Sequence, residues 1–247
     1  MEKYFKKTDY IVGRNSVIEA LKSDNPINFI LISDKFPQRN IFGLAKSKNI
    51  AIKKVSITKL DSIANGINHQ GIAAQISAKQ YSSIEEILNT NKPAFILITD
   101  KISDPYNFGA MIRTAECFGV NGVITRKQNS VLLTAGVAKS SCGALEFMKI
   151  SRVTNLVKTI EYLKSQKIWI CAADAEGQNI FDEKKTEIFT SPIALVIGSE
   201  HEGISKLVKT KCDFIFSIPM FGKISSLNAS VAAGIFMYKI AEKRKCK

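Results

Sequence analysis

The stretch Ala94-Phe-Ile-Leu-Ile-Thr99, followed by Asp100-Lys-Ile-Ser-Asp-Pro-Tyr-Asn-Phe-Gly-Ala-Met-Ile-Arg-Thr-Ala115, decides how this chain reads. A continuous apolar run without alternation is the pattern of a strand covered on both faces. The polar loop behind it turns through Pro105 and enters a helix near Asn107 or Gly109. On that helix Met111, Ala115 and Phe118 share one face at i, i+4 and i+7, with Arg113 roughly opposite. The plain alternative is that Asn107 caps the helix and Arg113 is solvated. Against it stands the position, the carboxyl end of a strand, where open α/β sheets bind ligands.

The same pattern extends outward. Strand-like runs recur at Gly122–Thr125, Ile168–Ala172, Ile193–Gly198 and Phe214–Ile218. Helical segments lie at Gly109–Phe118, Val153–Gln166 and Ile204–Thr210, with a long terminal helix from about Ser226 to Lys243. Alternation of this kind implies an α/β fold with a parallel sheet. Upstream, a smaller module alternates likewise. It has a helix at Ser16–Lys22 with Asn15 as N-cap, a strand at Asn28–Ser33, a helix at Ile41–Lys48, an extended run at Ile50–Ser56, a helix at Thr58–Ala64 and a strand at Gly71–Ser77. The stretch from Ala78 to Lys92, with Ser82-Ser83, Asn89-Thr90-Asn91 and Pro93, reads as a boundary. The expected division is therefore 1–78, a linker at 79–92, and 93–247.

Composition narrows the chemistry. The 247 residues have a mean hydropathy of +0.02, and no apolar run reaches the ~18–20 residues of a membrane helix. The start, Met1 to Lys7, carries charges with no apolar segment behind them, so the expectation is a cytosolic protein with no membrane partner. Five scattered cysteines without a C-x-x-C spacing argue against a disulfide framework or zinc knuckle. Two histidines, His69 and His201, exclude a multi-histidine metal site and speak against a Ser-His-Asp triad. No two glycines are separated by a single residue, so the dinucleotide fingerprint is missing. Gly198 and Gly203 have the glycine spacing of a phosphate-binding loop, but Ile204 stands where its lysine is required. The net charge is +13, divided as +5 before residue 90 and +8 after it. That balance points to a polyanionic partner, through counterion release from phosphates.

Two further loops stand out. Gly198-Ser-Glu-His-Glu-Gly203 follows a strand. Helix-dipole complementation accounts for Glu202 but not for two glycines hemming Glu200. Ile218-Pro-Met-Phe-Gly-Lys-Ile-Ser-Ser-Leu-Asn-Ala-Ser230 also leaves a strand, and Ser225, Ser226 or Asn228 there is placed to cap the last helix.

Asn107-x-Gly109-x-x-x-Arg113, Gly198-x-Glu200-x-x-Gly203 and Ser226-Leu-Asn228-x-Ser230 together resemble the three ordered motifs of the SpoU (TrmH-like) RNA ribose 2′-O-methyltransferases, across residues 94–240. Ala229 stands where that family usually has valine. Gly13-Arg-Asn-Ser-Val-Ile-Glu-Ala-Leu21 and Asn68-His-Gln-Gly71 resemble the RlmB group, which acts on guanosine of 23S rRNA. The resemblance implies a C-terminal trefoil-knotted (SPOUT-type α/β knot) parallel-sheet domain. It also implies a small N-terminal α/β RNA-binding domain similar to ribosomal proteins that bind kinked RNA. The implied cofactor is S-adenosyl-L-methionine, with contacts at Gly198, Ile218, Leu227, Leu195 and Met220. The implied catalytic set is Arg113, Asn107, Glu200, Ser226 and Asn228, with no metal, in a homodimer acting on RNA.

Arginine keeps its proton in neutral water, so Arg113 suits stabilisation of developing negative charge better than general-base work. Two rival functions stand beside ribosomal RNA methylation: a tRNA ribose methyltransferase of the same family, and an RNA-binding protein without catalysis. Of the remaining residues, Trp169 reads as core and His69 as a turn or RNA-facing residue. The cysteines other than Cys246 read as buried, and Lys243–Lys247 as a solvated helix end. The terminal helix carries Val231, Ile235, Phe236 and Ile240, apolar surface that suits a dimer.

Overall fold

The computed structural model describes residues 10–22, 26–34, 36, 39–77 and 79–245, and Cys246 and the Met1–Lys7 segment lie outside them. The chain divides into two units, one of residues up to Gln80 with Leu132–Gly136, the other of Tyr81–Val131 with Val137 onward.

The first unit runs β1 (Tyr10–Val12), α1 (Arg14–Lys22), β2 (Ile27–Ser33), α2 (Arg39–Ser47), β3 (Ala51–Val55), α3 (Ile57–Ala64) and β4 (Ile72–Ile76). Its sheet has the order β1-β4-β2-β3, antiparallel except for the β2–β3 pair. Val17, Leu21, Ile30, Ile32, Ile41 and Ile72 fill one core cluster, while Leu31, Leu60 and Ala73 form a second. Helix α1 begins at Arg14, directly after Gly13 at φ +95, so Asn15 lies inside the first turn rather than capping it. The two quoted N-terminal motifs meet: Gly13 donates its N–H to the Ile72 carbonyl, and Arg14 donates its own to Oε1 of Gln70. His69 is a turn residue. Its Nδ1 accepts the Gly71 N–H at 2.9 Å, which leaves Nε2 to donate to Asp61 at 3.0 Å.

The second unit begins with α4 (Ile84–Leu88), inside the stretch expected to be a linker. Ser83 and Glu86 close a capping box there, and Ile87 is fully buried in the core, so residues 83–88 are part of the unit's framework. There follow β5 (Phe95–Asp100), α5 (Pro105–Cys117), β6 (Gly122–Arg126), α6 (Ala135–Ser140), α7 (Ala144–Phe147), β7 (Lys149–Val153), α8 (Leu156–Ser165) and β8 (Trp169–Asn179). A short 3-10 turn precedes β9 (Ile193–Gly198), α9 (Lys206–Lys209), β10 (Phe214–Ser217) and α10 (Ala229–Lys245). The six strands are all parallel in the order β10-β8-β9-β5-β6-β7. Strands β5 and β9 are therefore central, and the chain reverses its direction of travel across the sheet beside them. Ile96, Ile98, Ile124, Ile170, Ala194 and Val196 pack with Leu156, Ile160 and Leu163 of α8. Helices α5 and α10 pack on each other, with Met111, Ile112, Ala115, Ala233, Phe236 and Met237 buried.

Several residues depart from their sequence reading. Trp169 opens β8 with 43% of its surface exposed, edge-on to Phe214, because the strand at that end borders solvent. Only Cys171 of the described cysteines is buried, where desolvation raises its thiol pKa; Cys212 is half-buried and pushed up to about 12 by the same cause. Cys117 and Cys142 are exposed. Phe236 and Ile240 are spent inside the chain, so only Val231 and Ile235 of the expected apolar stripe face outward, joined by Tyr238.

Arg244, expected to be solvated, is an anchor. Its guanidinium donates to the carbonyls of Phe189, Pro93, Ala94 and Ser191 and lies over the Phe95 ring at 4.9 Å. Burial lowers its pKa to about 10, which still leaves it charged at neutral pH. A planar fork reaches four carbonyls where a single ammonium cannot. Arg244→Ala should therefore cost about 2–4 kcal/mol in urea unfolding, by orphaning those carbonyls, and Arg244→Lys should recover little of it.

Candidate active site at the carboxyl edge of the sheet

Helix α5 is started by Asp104, not by Asn107. The Asp104 carboxylate accepts the N–H groups of Tyr106 and Asn107 at 3.2 and 3.1 Å, and Pro105 occupies the first helical position. The cap is thus supplied three residues before the earlier helical start that the sequence suggested, and the Asn107 side chain is released for another task. It donates to Oε1 of Glu200 at 2.8 Å.

Glu200 sits on a turn whose course is fixed by two glycines. Ser199 and Gly203 exchange backbone hydrogen bonds, and Gly203 holds φ +64. A Cβ on Gly198 would fall 2.1 Å from the Gly203 carbonyl carbon, so no larger residue permits the chain to fold back this closely. Glu202 pairs with Lys101, which holds its carboxyl below the usual range, and α9 starts only at Lys206. Its role as a helix-dipole partner is replaced by that ion pair.

Asn228 caps α10, and its side chain does two things at once. Its Oδ1 accepts the N–H groups of Ser230 and Val231 and the Ser230 hydroxyl, at 2.9, 3.3 and 2.6 Å. Its Nδ2 donates to Oδ1 of Asn107 at 3.0 Å and to Oε1 of Glu200 at 2.5 Å. The Ala229 N–H reaches the same Glu200 oxygen at 3.3 Å. One carboxylate oxygen therefore receives donors from α5 and from the start of α10, joining the loops after β5, β9 and β10.

Arg113 stands further along α5, exposed, with Nη1 donating to Cys142 Sγ at 3.4 Å. Gly109, one turn before it, allows the 140–141 segment to lie against the helix: a Cβ there would meet Ser140 Oγ at 1.9 Å. Ser226 is exposed and makes no hydrogen bond within this cluster. Of the residues read as cofactor contacts, Gly198, Ile218 and Leu227 are partly exposed around the same loops, and Met220 is 39% exposed. Leu195 is different: it lies mid-strand in β9 with no accessible surface, a core residue in this structure. The sequence reading missed Asp100, Arg126 and Ser205, which form a hydrogen-bonded group beside the Glu200 turn. The signal available was a carboxylate as the last residue of an otherwise apolar strand. Among the described residues no three His, Cys, Asp or Glu side chains are gathered as metal ligands, and no helix is long and apolar enough to cross a membrane.

A reversal point in a parallel sheet, ringed by three loops that one carboxylate ties together, is the frame of an enzyme of α/β type. Residues 94–238 match the SpoU rRNA Methylase family, and residues 10–82 match RNA 2′-O ribose methyltransferase substrate binding; the chain belongs to the SpoU family. It is 41% identical over 243 residues to a Bacillus subtilis protein, YacO, named for the TrmH family of tRNA/rRNA methyltransferases, covering 96% of each chain. A Staphylococcus aureus protein named for the same family is 44% identical over 241 residues, covering 95% of this chain and 96% of that one. Among solved structures, the fold is similar to that of the SpoU methyltransferase AviRb from Streptomyces viridochromogenes in complex with AdoMet. The TM-score is 0.63 at 22% identity, over 96% of this chain and 91% of that one. A TrmH/SpoU tRNA modifying enzyme of A. aeolicus aligns with a TM-score of 0.55 at 27% identity, over 66% of this chain and 81% of that one.

The double duty of Asn228 gives a sharp test. Asn228→Ala removes the cap and should cost about 1–2 kcal/mol at any pH near neutral. Asn228→Asp keeps the cap oxygen but sets a second carboxylate against Glu200. Repulsion raises one of the two pKa values in the folded state, so the deficit is present above that raised value and relieved as pH falls through it. Urea unfolding from pH 7 down to about 4 should show Asn228→Asp recovering relative to Asn228→Ala.

Proposed function

We propose that this chain transfers the methyl group of S-adenosyl-L-methionine to a ribose 2′-hydroxyl of RNA, a guanosine of 23S rRNA being the favoured target. The observation that carries this reading is the meeting of Asn107, Glu200 and Asn228, one residue from each of three ordered motifs, in a single hydrogen-bonded group. The loops beside it suit the cofactor. Residues 219–227 run outside any strand or helix, leaving backbone donors and acceptors free for polar groups, and Ile218, Met220 and Leu227 offer apolar surface for a base. Gly198, Ile218, Leu227 and Met220 would hold it there, and Leu195 would support the strand beneath.

The bound cofactor supplies an already activated methyl group. The rest falls to the protein. Holding a ribose oxygen in line with that carbon is worth up to ~7–11 kcal/mol in favourable cases. For each methyl group that would leave the sulfonium sulfur, the electron pair of its S–C bond staying on the departing thioether, the 2′-hydroxyl proton would pass to water or a substrate phosphate and the guanidinium of Arg113 would offset the negative charge developing on oxygen. Asn107, Glu200 and Asn228 keep the loops in register, and exposed Ser226 is free to meet the ribose.

The positive charge of both halves of the chain supports a nucleic-acid substrate, met in the cytoplasm. The similarity to a tRNA modifying enzyme supports a second reading, tRNA as the target. The strand order, in which the chain leaves edge strand β10 and returns to the central loops at α10, supports threading as a trefoil knot. Val231, Ile235 and Tyr238, spaced i, i+4 and i+7 on α10, support a homodimer, with Val231 49% and Tyr238 54% exposed.

Three measurements check these statements. Labelled S-adenosylmethionine should be bound, and its methyl group delivered to ribosomal RNA in preference to tRNA; binding of RNA without the cofactor would identify a non-catalytic RNA-binding protein. Arg113→Ala should reduce methyl transfer by about 10³-fold while leaving melting temperature and cofactor affinity near the parent values. Light scattering at micromolar concentration should give twice the chain mass, and Tyr238→Glu should shift it toward the monomer.

A further inference from the structure

Asp100 ends β5 and is fully buried, yet the chemistry above gives it no part. Across the sheet it is paired with Gly198, from which the Glu200 turn springs. One of its carboxylate oxygens accepts both the N–H of Ser205, at 2.8 Å, and the Ser205 hydroxyl. The other accepts Nη1 of Arg126, at the end of β6, at 2.9 Å. The buried charge is thus neutralised and hydrogen-bonded, as burial requires. Lys101 follows at φ +61, and its side chain pairs with Glu202. Two successive residues at one strand end hold the 199–205 turn at two points, Ser205 and Glu202.

We propose that Asp100, with Arg126 as its counter-charge, is a positioning residue for methyl transfer. It fixes the turn that carries Glu200, and through Glu200 the register of Asn107 and Asn228. A buried ion pair adds little net stability over well-packed apolar side chains. What it supplies is direction, because a carboxylate with both oxygens engaged holds Ser205 and the end of β6 in one geometry. The proposal rests on the methyltransferase reading and adds the part that keeps its site assembled.

The test is a set of double-mutant cycles in the full chain, reading methyl incorporation into RNA beside cofactor and RNA binding. Asp100→Asn, Arg126→Gln and Ser205→Ala should each lower kcat by about tenfold or more, with both dissociation constants within about threefold of the parent. Ser205→Thr keeps the hydroxyl and should recover most of the rate. In a Glu200→Ala background, which removes the acceptor oxygen itself, the same changes should cost less than about twofold, since their route to the reaction has gone. Losses that multiply in that background, or an unchanged kcat in all three variants, overturn the proposal. If Asp100→Asn does not fold, Ser205→Ala decides. A parent chain that transfers no methyl to rRNA or tRNA defeats the methyltransferase reading, and catalytic positioning with it. Faster amide exchange over residues 199–205 in Ser205→Ala would then still establish the clamp, and unchanged exchange would refute it.

Discussion

The site depends on one oxygen atom. Oε1 of Glu200 takes donors from the Asn107 amide, the Asn228 amide and the Ala229 backbone, so that the 107, 200 and 228–229 segments, far apart in sequence, meet at it. Hydrogen bonds to an ionised acceptor are roughly twice as strong as neutral ones and more directional, so a single carboxylate can set the mutual placement of three loops. It can do so only if its own position is fixed, and the Gly198–Gly203 turn fixes it. The placement also sets a negative charge at the start of α10, where the helix dipole favours one. Glycine at 198 and glutamate at 200 are thus one device: the first permits the fold-back, the second uses it.

Helix α10 is held at both ends by different physics. Asn228 ties its start to the loops after β5 and β9, while Arg244 ties its last turn to carbonyls at the amino edge of β5 and beside β9. Between them Lys239, itself largely buried, pairs with Glu183 and Glu242. The Lys239 and Lys243 ammoniums beside Glu183 hold its carboxyl at about 2. These ties are individually modest where exposed. Their joint effect is to leave α10 little freedom to slide, and any slide would move Asn228 away from Glu200.

How much of this the sequence disclosed follows from where each signal came from. Strands β5, β6 and β9 were legible because they are covered on both faces and read as unbroken apolar runs. Strand β7 was not. It is an edge strand whose Lys149, Ser151 and Arg152 break the run, which merged its last residue into the helix that follows. Helix α4 was hidden because five residues are too few for periodicity to show, although Ser83 and Glu86 spell a capping box. The Asp104-Pro105 start of α5 was legible by the same chemistry and was passed over in favour of Asn107. The motif loops were found because each follows a strand, but sequence order carries no distances. It could not separate Asn228, which joins the cluster, from Ser226, which stays outside it, or tell that Leu195 is sealed in the core. Trp169 and the exposed cysteines were misjudged for a common reason: residue type predicts burial only on average, and strand ends and helix ends are where the average fails.

In the proposed reaction the cluster and Arg113 have different parts. Asn107, Glu200 and Asn228 satisfy one another, so their polar atoms are largely committed before any substrate arrives, and they are suited to holding geometry. Arg113 is the reverse. Among the described residues it pairs with no carboxylate, and its recorded partner is the sulfur of Cys142, a weak acceptor. A guanidinium neutralised by a carboxylate would have that bond to break before it served an incipient alkoxide, and its charge would already be offset. Left with a weak partner on an exposed helix face, Arg113 has most of its five donors uncommitted, as its proposed role at the ribose oxygen requires. In the proposed reaction the rigid cluster supplies the alignment and Arg113 supplies the charge, and α5, which carries both Asn107 and Arg113, fixes their separation.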